Sequence, residues 1–162
     1  MELQQLFQWL EDTAIGTAIR SSELLFPLIE SLHVLCITVV VGSIAVVDIR
    51  LLGVGASQRA ASKLMDDVLP ITRWAFAAAA ITGGLLFTSH AVSYSSNTAF
   101  QIKMVVLAVA LVNIVYFHRV TARGIASWDS TPSTPPAVKM AGGLSLMLWI
   151  LVVGTGRWIG FL

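Results

Sequence analysis

Leu24-Leu25-Phe26-Pro27-Leu28-Ile29-Glu30-Ser31-Leu32-His33-Val34-Leu35-Cys36-Ile37-Thr38-Val39-Val40-Val41-Gly42-Ser43-Ile44-Ala45-Val46-Val47-Asp48-Ile49 has Glu30, His33, Cys36 and Asp48 as its only ionisable side chains. About 20 apolar residues suffice for a helix to cross a hydrocarbon core of about 30 Å, so this stretch predicts a membrane span over 24–49. Three further stretches meet the same condition, at 71–92, 102–118 and 138–160. The third is the shortest, but Lys103 and His118-Arg119 at its ends are long enough to snorkel to the interfaces. Pro27, Pro70 and Pro136 read as helix entrances, where the first-turn N–H groups have no helical partner and the missing donor costs little.

The rest of the chain agrees with that reading. Its 162 residues are 56% apolar and 12% charged, with a mean hydropathy of +0.82, against about 25% charged in a soluble domain. A net charge of +1 with this hydropathy excludes a disordered chain. No run of Lys and Arg forms a basic footprint, so nucleic acid is not an expected partner; the lipid bilayer is. The predicted fold class is all-α, an integral membrane four-helix bundle forming one domain over 1–162. Residues 1–22 add a short amphipathic helix with Leu3, Leu6, Phe7, Leu10 and Ala14 on one face, lying at the membrane interface. This segment lacks the basic start and continuous apolar run of a secretory signal, and the first span is expected to serve as an uncleaved anchor. Residues 121–137, ending in Pro132, Pro135 and Pro136, read as a non-helical cytoplasmic loop.

Orientation follows from the bases. Arg50, Arg59, Lys63 and Arg73 fall between spans one and two, and Arg119, Arg123 and Lys139 between spans three and four. The segment ahead of the first span holds Glu2, Glu11, Asp12 and Glu23 against Arg20 alone. Positive loops stay in the cytoplasm, which predicts a multi-pass protein of the bacterial inner membrane with both termini periplasmic.

Soluble-enzyme signatures are missing: there is no phosphate-binding glycine loop, no H-E-x-x-H and no G-x-S-x-G. The single Cys36 excludes an internal disulfide, and without C-x-x-C-H there is no covalent haem attachment. The remaining signal is the depth of polar residues. His33 precedes Arg50, and His90 follows Arg73, by the same interval along the chain. At about 1.5 Å per residue both imidazoles are expected about 25 Å above the basic ends of their helices. Lys103 stands nearly the same interval from Arg119, as does Arg157 from Lys139, so both join that layer, with Glu30 one turn beyond His33.

Ionisable groups inside spans are costly, face bundle interiors and mark function. Two imidazoles on adjacent helices suit the axial positions of one b-type haem iron, with Arg157 and Lys103 holding the propionates. The plainer readings are a hydrogen-bonded histidine, a first-turn carboxylate for Glu30, and outward snorkelling for Arg157 and Lys103. His118 reads as an interfacial residue, and Met104, Met140 and Met147 as packing. Asp48 reads as a clasp to Arg73 or Arg119. Gly42-Ser43, Gly83-Gly84, Gly142-Gly143 and Gly154-Thr155-Gly156 allow close helix approach.

The set Glu30-Ser31-Leu32-His33, Gly42-Ser43, Asp48-Ile49-Arg50-Leu51-Leu52-Gly53, Arg73-Trp74, His90, Lys103 and Arg157-Trp158 resembles a family of small four-helix bacterial inner-membrane proteins. That resemblance implies a fold and no activity. In layout the chain more loosely resembles four-helix cytochromes of the b561 type and copper-resistance membrane proteins, but it lacks the second histidine pair of a two-haem path. The expected function is a haem b-binding electron-transfer subunit, one haem per chain, linking a periplasmic redox partner to quinone or another membrane carrier. The alternatives are a cofactor-free accessory subunit of a larger membrane complex and a copper or proton permease built on Glu30, His33 and Cys36. Self-association is a further option.

Overall fold

A computed structural model describes residues 2–55, 60–129 and 134–161, the side chains of 126 and 127 excepted. Arg59 and the centre of the proline-rich loop, 130–133, lie outside the described residues. The element order is α1 Glu2–Glu11, α2 Ala14–Ser21, α3 Leu25–Leu51, α4 Ala61–Ser89, α5 Ala91–Ser96, α6 Thr98–Arg119, a 3-10 turn Thr121–Gly124, α7 Ile125–Trp128, α8 Pro136–Trp158 and a 3-10 turn Ile159–Phe161. Among the described residues there is no strand. Helices α3, α4, α6 and α8 are each long and apolar enough to cross a membrane. The protein is an all-α, multi-pass membrane bundle.

The N-terminal segment forms two helices, not the expected one. Thr13 Oγ1 accepts the Gly16 N–H at 3.2 Å and so starts α2 afresh. This pair folds over the end of the bundle away from Arg50, Arg119 and Lys139. Phe7 meets Phe87 edge-on at 5.8 Å, and Glu11 Oε1 accepts the Val92 N–H at 2.9 Å, placing a carboxylate at the start of α5. Gly16 fits only as glycine, since a Cβ there would come within 2.7 Å of the Glu11 carbonyl oxygen and 2.9 Å of that of Thr88.

Pro27 lies in the first turn of α3 and Pro136 opens α8, as expected. Pro70 differs: it sits inside α4, which begins at Ala61, not near 71. The turns before it are held by burial of Leu64 and Met65. Asp66, whose carbonyl loses its i+4 donor, is exposed with Pro70 on the outside of the helix. The other end of α4 breaks at His90 (φ −143°, ψ 45°), so the second span stops at Ser89 and α5 is a separate short helix. Gly53, at φ +101°, closes α3 in the left-handed conformation that glycine adopts without strain.

The 121–137 segment is also partly helical. Trp128 on α7 is buried with Leu51, Ala61, Met65, Phe117 and Val138, and this apolar contact holds its turn against the base of the bundle. A second cluster, Val40, Ala110, Leu148, Trp149 and Val152, joins α3, α6 and α8 higher up.

Helix α3 packs on α4 and α8, and α6 packs on α8. Helices α4 and α6 are not among the closely packed pairs. The spans therefore form a bent row, α4–α3–α8–α6, whose outer members meet at the far end, where Phe87 stacks on Phe100 at 5.4 Å, and stand apart nearer the basic end. Of the glycine pairs, Gly83, Gly142 and Gly156 face neighbouring atoms closely, whereas nothing lies within 4 Å of a Cβ built on Gly42, Gly84 or Gly154.

Candidate functional site

The ionisable residues of the far half separate into distinct places. On α3, His33 points at α4, where its Nδ1 lies 3.0 Å from Thr82 Oγ1. The Thr82 hydroxyl donates to the Ala78 carbonyl at 2.8 Å, and the His33 ring also hydrogen-bonds the Ala79 backbone, so the imidazole is held against α4 at two places. The ring occupies the space left by Gly83, where a Cβ would stand 2.8 Å from His33 Cε1. The Lys103 ammonium is within electrostatic reach of this imidazole, and its stem runs along Gly156.

His90 is elsewhere. It meets Phe26 edge-on at 5.4 Å and Tyr94 at 6.0 Å, and its Nδ1 lies 2.9 Å from Ser89 Oγ. Phe26 is seven residues before His33 on α3, and Thr82 is eight before His90 on α4. Both counts separate the imidazoles by roughly 10–12 Å along the bundle. Two ligands of one iron need nitrogens about 4 Å apart, at metal–nitrogen distances near 2 Å. The two histidines thus stand at different depths and not in the expected common layer. The physical reason is the register of α4: a ruler laid from Arg73 begins too late, because the helix starts twelve residues earlier and breaks at His90.

The other two expected residues are also apart. Arg157 is exposed and lies over the Phe161 ring at 5.0 Å. Glu30 is exposed near Tyr94; burial and then the Glu30 charge hold the Tyr94 phenol above its ordinary pKa. His33, Cys36 and Glu30 are not gathered into a three-ligand metal cluster among the described residues. His118 ends α6, with Nδ1 2.9 Å from the Ile114 carbonyl.

The half nearer the bases holds a different feature. A cleft of about 490 Å³ lies between α4 and α6, floored by α3 and α8. Its walls are apolar, including Val40, Ile44, Leu69, Phe76 and Ile114. A few polar groups interrupt them. Ser43 and Thr72 join hydroxyls at 2.7 Å, and Asn113 Nδ2 donates to the Ala141 carbonyl at 3.3 Å.

Asp48 is 4% exposed and takes a hydrogen bond from Ser145, so its partner is a hydroxyl and not the Arg73 or Arg119 guanidinium. Its Oδ2 has no partner, and neither has Nε1 of Trp149, also 4% exposed. Ser145 and Trp149 are one turn apart on the same face of α8. A buried polar atom left unpaired costs about 1–3 kcal/mol. Asp48 and Trp149 both line the cleft, while the two unpaired atoms themselves are closed off from its space.

A polar cluster ties the basic end of the bundle together. Arg50 Nη2 donates to the Asp129 carbonyl at 2.9 Å, and the Asp129 carboxylate accepts the Ser62 N–H at 2.9 Å and the Ser62 hydroxyl. This lays a carboxylate on the first turn of α4. Burial would raise the Asp129 pKa, but Ser62, the Ala61 amide and the Arg50 charge outweigh it and hold the carboxyl below its ordinary value.

Sequence reasoning missed Trp149, Ser145, Thr72 and Asn113 as a group. The available signal was Asp48 itself, one of the few charges inside a span, together with Ser145 and Trp149 at i and i+4 in the fourth.

Comparison with curated proteins and with solved structures gives no significant match, so the looser likeness to b561-type cytochromes and copper-resistance proteins finds no support there. A family is nevertheless shown: the chain belongs to DUF6644, a family of unknown function, whose description matches residues 6–162.

Proposed function

We propose that this protein is a membrane-embedded binding subunit whose cleft takes up a lipid-soluble molecule carrying a polar head group. The observation that carries the reading is the cleft itself, about 490 Å³, which opens between α4 and α6 and is lined by apolar side chains with Ser43, Asp48, Thr72 and Asn113 among them. The volume falls inside the roughly 300–1,000 Å³ range of small-molecule sites. A ligand reaching this cleft through the gap between the outer helices need not leave the bilayer. The spacing of His33 and His90 along the bundle, roughly 10–12 Å, favours this cleft over a haem held by both imidazoles of one chain.

In this reading the end bearing Lys63, Arg119, Arg123 and Lys139 faces the cytoplasm of a bacterial inner membrane, and the α1–α2 pair faces the periplasm. Impermeant maleimide should therefore label a cysteine placed at Glu23, and not one placed at Lys63, in intact cells carrying Cys36→Ala. The function itself is tested by solvent extraction and mass spectrometry of the purified protein. Wild type should carry a lipid-soluble compound near one equivalent, and Ala141→Phe, whose ring fills the cleft, should lose it. Equal recovery from both proteins would refute the site.

A further inference from the structure

We infer that the cleft holds an anionic lipid, with its phosphate on Arg73 and Arg119 and an acyl chain among the apolar side chains beyond them. This rests on the ligand-binding reading above and names the ligand class. Arg73 on α4 and His118 and Arg119 on α6 line the cleft. Both arginines are exposed, and among the described residues neither enters a salt bridge. Asp48, the one carboxyl among the described lining residues, is 4% exposed and bonded to Ser145. The cleft therefore sets two permanent positive charges against one buried carboxyl.

Helix direction aims these bases towards one another. Helix α4 starts at the basic end and α6 finishes there. Cα–Cβ bonds tilt towards the N-terminus of their helix. Arg73, about 12 Å along α4 from Met65 at the base of the bundle, is thus directed down towards the basic end. His118 and Arg119, next to Phe117 at that base, are directed back up. The His118 ring follows this direction, its Nδ1 lying 2.9 Å from the Ile114 carbonyl. A carboxylate fills the fork of one guanidinium, whereas a phosphate has oxygens for groups arriving from two helices.

The lining is graded as a bilayer leaflet is. Beyond the bases come Val40, Phe76 and Leu111, and at the far end Phe87 stacks on Phe100 at 5.4 Å and closes the gap between α4 and α6. An amphiphile fits with its charge at the basic end and its chain towards the bilayer centre. That is the orientation of lipids in the adjacent leaflet, and basic pockets between spans suit anionic head groups. A cationic head group is repelled there, and a neutral one leaves both guanidiniums to water.

The test is native mass spectrometry of the full-length protein in dodecyl maltoside, with dioleoyl phosphatidylglycerol, dioleoyl phosphatidylcholine or oleate added. Wild type should take up one phosphatidylglycerol, at least tenfold tighter than either other lipid. Arg73→Gln and Arg119→Gln should each weaken it at least threefold, so one variant with native helix content by circular dichroism suffices. Lys139→Gln, a base outside the lining, should leave uptake unchanged, and Ala141→Phe should abolish it. Equal binding of phosphatidylcholine or oleate, still blocked by Ala141→Phe, overturns the phosphate assignment while the cleft keeps its binding role. Selectivity for phosphatidylglycerol that persists in Ala141→Phe puts the lipid outside the cleft and overturns the inference. If no lipid binds and solvent extraction of the native protein is empty, the inference and the ligand-binding reading fail together.

Discussion

Replacing Gly83 by alanine puts the packing of the His33 imidazole under a direct test. An added Cβ would stand 2.8 Å from Cε1 and 3.4 Å from Nδ1 of His33, so the ring must leave its place on α4. Overpacking of this kind costs about 1–3 kcal/mol, and the Nδ1–Thr82 hydrogen bond that goes with it is worth about 0.5–1.5 kcal/mol. Alanine recovers about 1 kcal/mol over glycine in a helix interior. The net expectation is a loss of about 0.5–3.5 kcal/mol. Gly84, the next residue, meets nothing within 4 Å, so Gly84→Ala shares the helix gain without the clash and should be neutral or stabilising. In a His33→Ala background the clash disappears, and Gly83→Ala should then behave like Gly84→Ala. The coupling between the two positions is thus about 1.5–4.5 kcal/mol, well above the few tenths seen for independent sites. Reversible unfolding in mixed micelles, followed by tryptophan fluorescence, reads all four proteins. Equal stability of Gly83→Ala and Gly84→Ala, or additivity with His33→Ala, would refute this packing of His33 against Gly83.

Gly16→Ala should lift the N-terminal helices from the bundle, because the added atom meets the Glu11 and Thr88 backbone oxygens and not a movable side chain; hydrogen exchange should speed up over residues 2–21 and at the Val92 amide, leaving α6 unchanged. The depressed Asp129 carboxyl adds stability that is present above the unfolded Asp value of about 3.9 and is lost as pH falls through the folded value. Asp129→Asn should accordingly be less stable than wild type at pH 6, with the gap closing towards pH 2.5; a gap that persists there would count against the Asp129–Ser62 contact. Haem added to the monomer should give no low-spin bis-imidazole spectrum that His33→Ala and His90→Ala each abolish, and finding one would show that the two rings meet.

The spans were legible because lipid contact leaves a plain record. Residues 24–49 and 138–160 match α3 and α8 to within two residues at each end, since every face of those helices is apolar. Where a helix extends beyond the bilayer the record changes. The first turns of α4 carry Lys63, Asp66 and Asp67 on the outside and hide Leu64 and Met65 within, so hydropathy falls although the helix continues. Starting α4 at Pro70 instead of Ala61 misplaces the ruler used for His90, and the common layer of histidines follows from that error. The break at Ser89–His90 has no proline or glycine to announce it. The cleft was hidden for another reason. That Asp48 meets Ser145 and not an arginine depends on how α3 packs on α8, and the cleft on how α4 and α6 stand apart, both relations between helices far apart in the chain.

At Gly142 the two halves of the bundle touch most closely: a Cβ there would meet Leu51 Cβ at 2.9 Å and the Asp48 carbonyl oxygen at 3.1 Å. Helices α3 and α4 form one hairpin and α6 and α8 another, and this contact of α8 with α3 is the spine joining them. The same halves are tied again above and below it, by Phe87 on Phe100 at 5.4 Å and by Asp129 on Arg50 and Ser62. The cleft is thus a window framed on every side, and its aperture is set by side chains on α4 and α6 and not by the backbone of either hairpin.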